Sequence, residues 1–147
     1  MDTDKLSSGT CSIARSLALV GDTWSVLILR DASRGMTQFD QFRTSLGIAP
    51  NILSRRLKGL TEAGVLEKRR YSERPPRDEY VLTQAGREFL PIMAAMGEWG
   101  RRHNGGGATL SHLVADETGE RVSAVVIDEV TGRRLDQLPM RLVMPDL

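Results

Sequence analysis

The sequence predicts an α+β fold that is mostly helical, and three observations predict it. Apolar residues recur at helical spacing in four successive segments, each stopped by a glycine: Gly21, Gly35, Gly47 and Gly64. Two extended segments, Val65 to Tyr71 and Glu79 to Leu82, then flank a Pro-Pro pair, which reads as an antiparallel hairpin. A final helical pattern leads through a glycine run into a tail of different character.

The first ten residues, MDTDKLSSGT, are polar and read as a loose terminus. Ile13, Leu17 and Val20 mark a short first helix that stops at Gly21. Asp22 or Thr23 can cap a second helix from Trp24 to about Ala32. Thr37 is the expected cap of a third, with Phe39, Phe42 and Leu46 on one face. Pro50 suits the first turn of a fourth. There Leu53, Leu57 and Leu60 make an inward stripe, and Asn51, Ser54, Arg55, Lys58 and Glu62 lie on the other side.

Proline donates no ladder hydrogen bond, so Pro75 and Pro76 belong at a hairpin tip, between Arg74 and Arg77. Thr83 caps the last helix, whose apolar face is Phe89, Ile92, Met93, Met96 and Trp99. Pro91 lies inside that pattern and predicts a kink or break between Gln84 and Leu90. Gly105 to Gly107 reads as a flexible linker. Beyond it, ADETGERV is echoed by IDEVTGRRL, each with a Thr-Gly turn after a pair of acids. With a strand-like Val122 to Ile127 between them, the tail reads as a small antiparallel meander. The expected organisation is therefore a flexible N-terminus (1–10), a main domain (11–103), a Gly-rich linker (104–108) and a small β extension (109–147).

The 147 residues suit one domain with an appendage, and 40% hydrophobic with 27% charged residues is ordinary soluble composition. The net charge of +1 conceals an asymmetry: ten Lys/Arg against four Asp/Glu from Arg34 to Arg77, and four against seven from Asn104 onward. A basic middle suggests a polyanionic partner. The single cysteine, Cys11, excludes an internal disulfide and fits a reducing, cytoplasmic setting. The apolar stretch near the N-terminus carries Arg15, unlike a signal peptide, and the run Val26 to Leu29 is too short to span a bilayer, so no membrane association is expected.

Three helices, a basic helix and a hairpin with a charged tip together describe a winged helix-turn-helix. A helix fits the DNA major groove, where Asn51 can bond adenine and Arg55 can bond guanine in a bidentate manner. Ser54 can reach phosphate or base, and Lys58 a phosphate. The hairpin is then a wing, with Arg74 and Arg77 touching phosphate or a minor groove and the prolines stiffening the tip. Strand alternation places Arg69 opposite Lys68 and Arg70, so only one of these sides can face DNA, and Arg70 is counted among the contacts.

The same residues carry a family resemblance. The stretch from Cys11 to about His103 resembles the HxlR-type winged-helix transcription regulators, relatives of the MarR group. The blocks that carry it are Cys11-x-Ile13, WSVLILRD around Trp24, LSRRLKGL, and YSERPPRDEYVLTQAG. Ser12 departs from the proline that often follows this cysteine in the family. The resemblance implies a homodimer on a two-fold, palindromic DNA site, with the first and last helices forming the interface. Because the family includes thiol-based sensors, it also raises control through Cys11, by a Cys11–Cys11′ or mixed disulfide, or by a small-molecule effector. The other reading of Cys11 is a small core residue.

Trp24 and Trp99 read as core or interface aromatics. His103 and His112 have no cysteine partner nearby and make no metal site. No catalytic triad, paired-carboxylate motif, phosphate loop or dinucleotide fingerprint occurs, so neither an enzyme nor a cofactor is expected. The expectation is a sequence-specific DNA-binding regulator, a repressor. Its rival is a winged helix used as a protein-interaction module.

Overall fold

The computed structural model describes residues 3–145. The elements run α1 (Thr3–Ser8), α2 (Ser12–Val20), α3 (Thr23–Ser33), α4 (Phe39–Leu46), α5 (Pro50–Glu62), β1 (Leu66–Glu73), β2 (Pro76–Leu82), α6 (Gln84–Glu88), α7 (Leu90–Asn104), β3 (Leu113–Val114), β4 (Arg121–Val122) and a 3-10 turn at Leu135–Gln137. The described residues form two compact units, one of residues 3–90 with 144–145 and the other Pro91–Val143. From Pro91 onward α7 groups with residues 105–143.

In the first unit, α3, α4 and α5 bury Ile28, Leu29, Phe42, Leu53, Leu57 and Leu60, closed off by Val65 and Leu66 at the start of the hairpin. Burying each such side chain contributes roughly 1.5–3 kcal/mol. Asp22 caps α3, its Oδ1 accepting from Ser25 N at 2.9 Å, worth about 1 kcal/mol for such a cap. Gly47, at φ 60°, ends α4 in the left-handed conformation.

Three expectations are corrected here. Thr3–Ser8 is helical, where polar composition predicts a loose segment; α1 lies against α2, and Arg15 Nε donates to Gly9 O at 2.7 Å, tying down the connection. Thr37 does not cap α4. The cap is Gln38, and the Gln41 side chain accepts from the Thr37 and Gln38 N–H groups, each at 2.9 Å. Thr37 serves the wing instead: its carbonyl accepts from Tyr80 N at 2.7 Å, and Gln38 bridges Glu79 as a rudimentary third strand. The hairpin is longer than expected, because Pro76 sits in β2 opposite Glu73. Proline is tolerated there at the end of an edge strand. The first expected helix is present as α2, with Val20 buried in the chain and Ile13 and Leu17 outward.

The break at Pro91 occurs as expected: Thr83 caps α6 by accepting from Gly86 N, α6 ends at Glu88, and α7 restarts at Leu90. In the second unit the two Thr-Gly turns match each other. Gly119 N bonds Ala115 O at 2.7 Å and Gly132 N bonds Asp128 O at 2.8 Å. Both glycines have φ 68°, which a side chain would strain. The meander is smaller than expected. β3 and β4 pair over two residues each, and the second turn closes on a lone Ile127–Arg134 bridge. The expected strand from Val122 to Ile127 does not continue past Val122; Val125 and Val126 are exposed, and Val126 O accepts from Leu135 N at 3.0 Å beside the isolated Ile127–Arg134 bridge.

Candidate nucleic-acid interface

α5 is oriented by its own amphipathicity. Leu53, Leu57 and Leu60 are buried against α3 and α4, which turns Asn51, Ser54, Arg55 and Lys58 outward on an arc of about 100°. All four are exposed. Pro50 occupies the first turn, Ala49 offers no capping side chain, and no acid lies in that turn. The N-terminal N–H groups therefore face outward beside a partial positive charge.

A second constraint holds the helix in rotation. Arg56 Nε lies 3.2 Å from Asp22 Oδ1, at the start of α3, close enough for an ion pair though out of line for a hydrogen bond. Arg56 is thus a clasp between helices. Asp31 is another structural acid that the sequence reading missed. It is fully buried, 2.8 Å from Arg30 Nη2 and 3.4 Å from Arg34 Nη1. Its position on the inward face of α3, in a run of apolar residues, was the available signal.

In the wing, register decides which cations are free. Lys68 and Arg70 share one side, as alternation requires, and both meet Asp78: Arg70 Nε donates to Oδ1 at 2.7 Å, and Lys68 Nζ lies 3.3 Å from Oδ2. Glu73 adds a further carboxylate 3.6 Å from Arg70. On the other side Arg69 pairs with Glu67 at 3.0 Å. The hydrogen bond from Arg70, with help from Lys68, holds the Asp78 carboxyl below its ordinary range, and the bond from Arg69 does the same for Glu67. Both pairs therefore persist at neutral pH and are lost only as acid carries the pH down through those lowered values.

Arg70, counted among the DNA contacts, thus has an intramolecular partner in the free protein. Lys58 is loosely paired with Glu62 at 3.7 Å, an exposed contact worth about 0–1 kcal/mol that a phosphate readily displaces. Arg55, Arg74 and Arg77 are exposed and form no ion pair among the described residues. Arg74 sits in the turn between the strands, and Arg77 opposes Ser72 next to it. The geometry is therefore a rigid helix with a polar outer face and a hairpin carrying two unpaired guanidiniums. Cys11 stands apart, half-buried at the N-cap of α2.

The family model described as HxlR-like helix-turn-helix matches residues 19–106, more than half of the chain. The chain belongs to this family. It is a transcriptional regulator of the helix-turn-helix type, and its relatives and fold are those of transcription regulators rather than enzymes. An uncharacterised HTH-type transcriptional regulator of Mycobacterium tuberculosis is 35% identical over 127 residues, covering 77% of this chain and 80% of that one. Among solved structures, PA1607, a candidate transcription factor, superposes with a TM-score of 0.83 at 35% identity, covering 93% of this chain and 96% of its own. The redox regulator HypR in its oxidised form is 29% identical with a TM-score of 0.59, covering 64% of this chain and 98% of its own. The first likeness extends through most of the tail, whereas HypR is matched almost in full by about two thirds of this chain. Among the described residues no single helix is long and apolar enough to cross a membrane.

Proposed function

We propose that this HxlR-family protein is a cytoplasmic repressor that binds a palindromic operator in double-stranded DNA as a homodimer. The observation that carries the reading is the outer face of α5. Asn51, Ser54 and Arg55 are exposed and make no ion pair among the described residues, on a helix whose other face is pinned by three buried leucines. Such a helix enters a major groove without losing an internal bond, Asn51 and Arg55 reading base edges and Ser54 and Lys58 serving the backbone. Arg74 and Arg77 supply flanking phosphate contacts. Arg70 joins them only by exchanging Asp78 for phosphate, so its contribution is smaller.

Dimerisation is supported by α7. This helix has no buried residue, yet Ile92, Met96 and Trp99 form one apolar stripe, with Ile92 57% and Trp99 61% exposed. Ile13 and Leu17 leave a similar face on α2. A second copy of the chain covering these faces removes the apolar surface from water and sets two α5 helices at a fixed half-site spacing.

The test is selection from random duplex DNA with the purified protein, then affinity at several salt concentrations. A two-fold symmetric motif is expected. Affinity should fall steeply with salt, and Arg74→Ala and Arg77→Ala should each reduce the slope by about one per protomer. No enriched motif and a flat salt response would favour the protein-interaction module instead. In a transcription reaction on the selected site, added protein should lower the transcript; a rise would make the protein an activator.

Control through Cys11 is supported by its half-buried position at a helix start, where no acid lies in the first turn, and by the likeness to HypR. Mild peroxide or diamide should weaken DNA binding by wild type and leave Cys11→Ser unchanged. Equal loss in both proteins would remove the thiol from the mechanism, leaving a small-molecule effector as the alternative.

A further inference from the structure

The second unit contains a cavity of about 530 Å³ where α7 ends and the tail begins. That is within the usual size for a small-molecule site. Its charged lining is of one sign. Arg101 and Arg102 come from the last turn of α7 and Arg121 from β4, with His103 and His112 between them and no acid in the wall. Gly105, Gly106 and Gly107 form one side and place no side chain in the space.

We infer that this cavity binds a small organic anion, a carboxylate or phosphate, through the guanidiniums of Arg102 and Arg121 beside the glycine loop. The counter-charges nearby do not saturate these groups. Arg101 donates a hydrogen bond to Glu98, which occupies that residue in part, although Arg101 Nε is buried and has no hydrogen-bond partner among the described residues. Arg102 and Arg121 act on Glu98 only through space, and Arg102 likewise on Asp136, whose own bonds go to Arg134. Neither Arg102 nor Arg121 forms an ion pair among the described residues. Two unpaired planar forks on the wall of one cavity suit a ligand with paired anionic oxygens, which guanidinium binds by two parallel hydrogen bonds. The like charges of Arg102 and Arg121 on one wall are also mutually repulsive, and a bound anion relieves this. Trp99, tilted against His103 with ring centroids 5.2 Å apart, braces one histidine of the wall.

The test uses the full-length protein without DNA, so its result is independent of the operator-binding reading. Citrate and inorganic phosphate are titrated by calorimetry at constant ionic strength against chloride, with wild type, the Arg102→Ala/Arg121→Ala pair, and Arg133→Ala as a charge control outside the cavity. Saturable binding of at least one anion is expected, weakened at least about tenfold in the double variant and unchanged in Arg133→Ala. Preference for citrate assigns a carboxylate ligand, and preference for phosphate a phosphate. Thermal melts without ligand should show the variants folded, since both arginines are exposed. Saturation by neither anion, undiminished binding in the folded double variant, or equal weakening by Arg133→Ala would overturn the assignment.

Discussion

Arg55→Ala is expected to weaken operator binding by about thirtyfold or more while leaving the melting temperature unchanged within about a degree. The side chain is exposed, forms no ion pair among the described residues and packs in no core, so its removal costs the folded state little. In the complex a bidentate bond to guanine is worth about 1–3 kcal/mol, and a homodimer loses it twice. Specificity should relax at the two symmetric base pairs proposed for Arg55, while the salt slope stays nearly constant, because a base contact releases few counterions. A gel-shift or anisotropy titration on the selected operator and on single-base variants checks both points. Retained affinity with unchanged specificity would mean that α5 does not read the site in this orientation. Arg56→Ala is the informative contrast. It removes the clasp to Asp22 and should lower stability rather than base discrimination.

Placing a carboxylate in the α7 stripe, as Trp99→Asp with Ile92→Asp, is expected to convert the proposed dimer to a folded monomer at micromolar concentration. Both side chains are mostly exposed in the single chain, so the substitutions meet no internal core; in a dimer they would bury two unpaired charges per chain. Operator affinity should then fall by roughly 10²–10⁴, because the second half-site no longer benefits from the effective concentration that the first supplies. Sedimentation together with binding to a half-site and to a full site decides it. A monomer that binds half and full sites alike supports the dimer reading. A persistent dimer moves the interface elsewhere, the outward face of α2 being the next surface to test.

The origin of these two predictions differs. Arg55 could be picked out from the chain alone. Leucines at 53, 57 and 60 dictate the inward face of α5 by period, Pro50 and Gly64 bracket the helix, and whatever lies opposite the leucines must face outward. The hairpin, the Pro91 break and the two Thr-Gly turns were legible for the same reason. Each follows from stereochemistry within a few residues, such as a missing N–H, a positive φ or a repeat of apolar spacing.

What the tertiary structure alone decided are pairings between residues brought together by packing or register. Arg70 and Arg77 are equally basic in the sequence, yet the β1–β2 register sets Arg70 against Asp78 and leaves Arg77 opposite Ser72. Arg56 becomes a clasp because α3 and α5 pack with Asp22 at the crossing. Thr37 bonds the wing because β2 comes to lie beside it. The cationic cavity exists because Arg121, far along the tail, returns to the end of α7. Local patterns specify where a helix or strand forms and which side is apolar, since those depend on dihedral preferences and nearest neighbours. Which charge is neutralised and which stays free depends on distances between separate elements, and side-chain packing sets those distances.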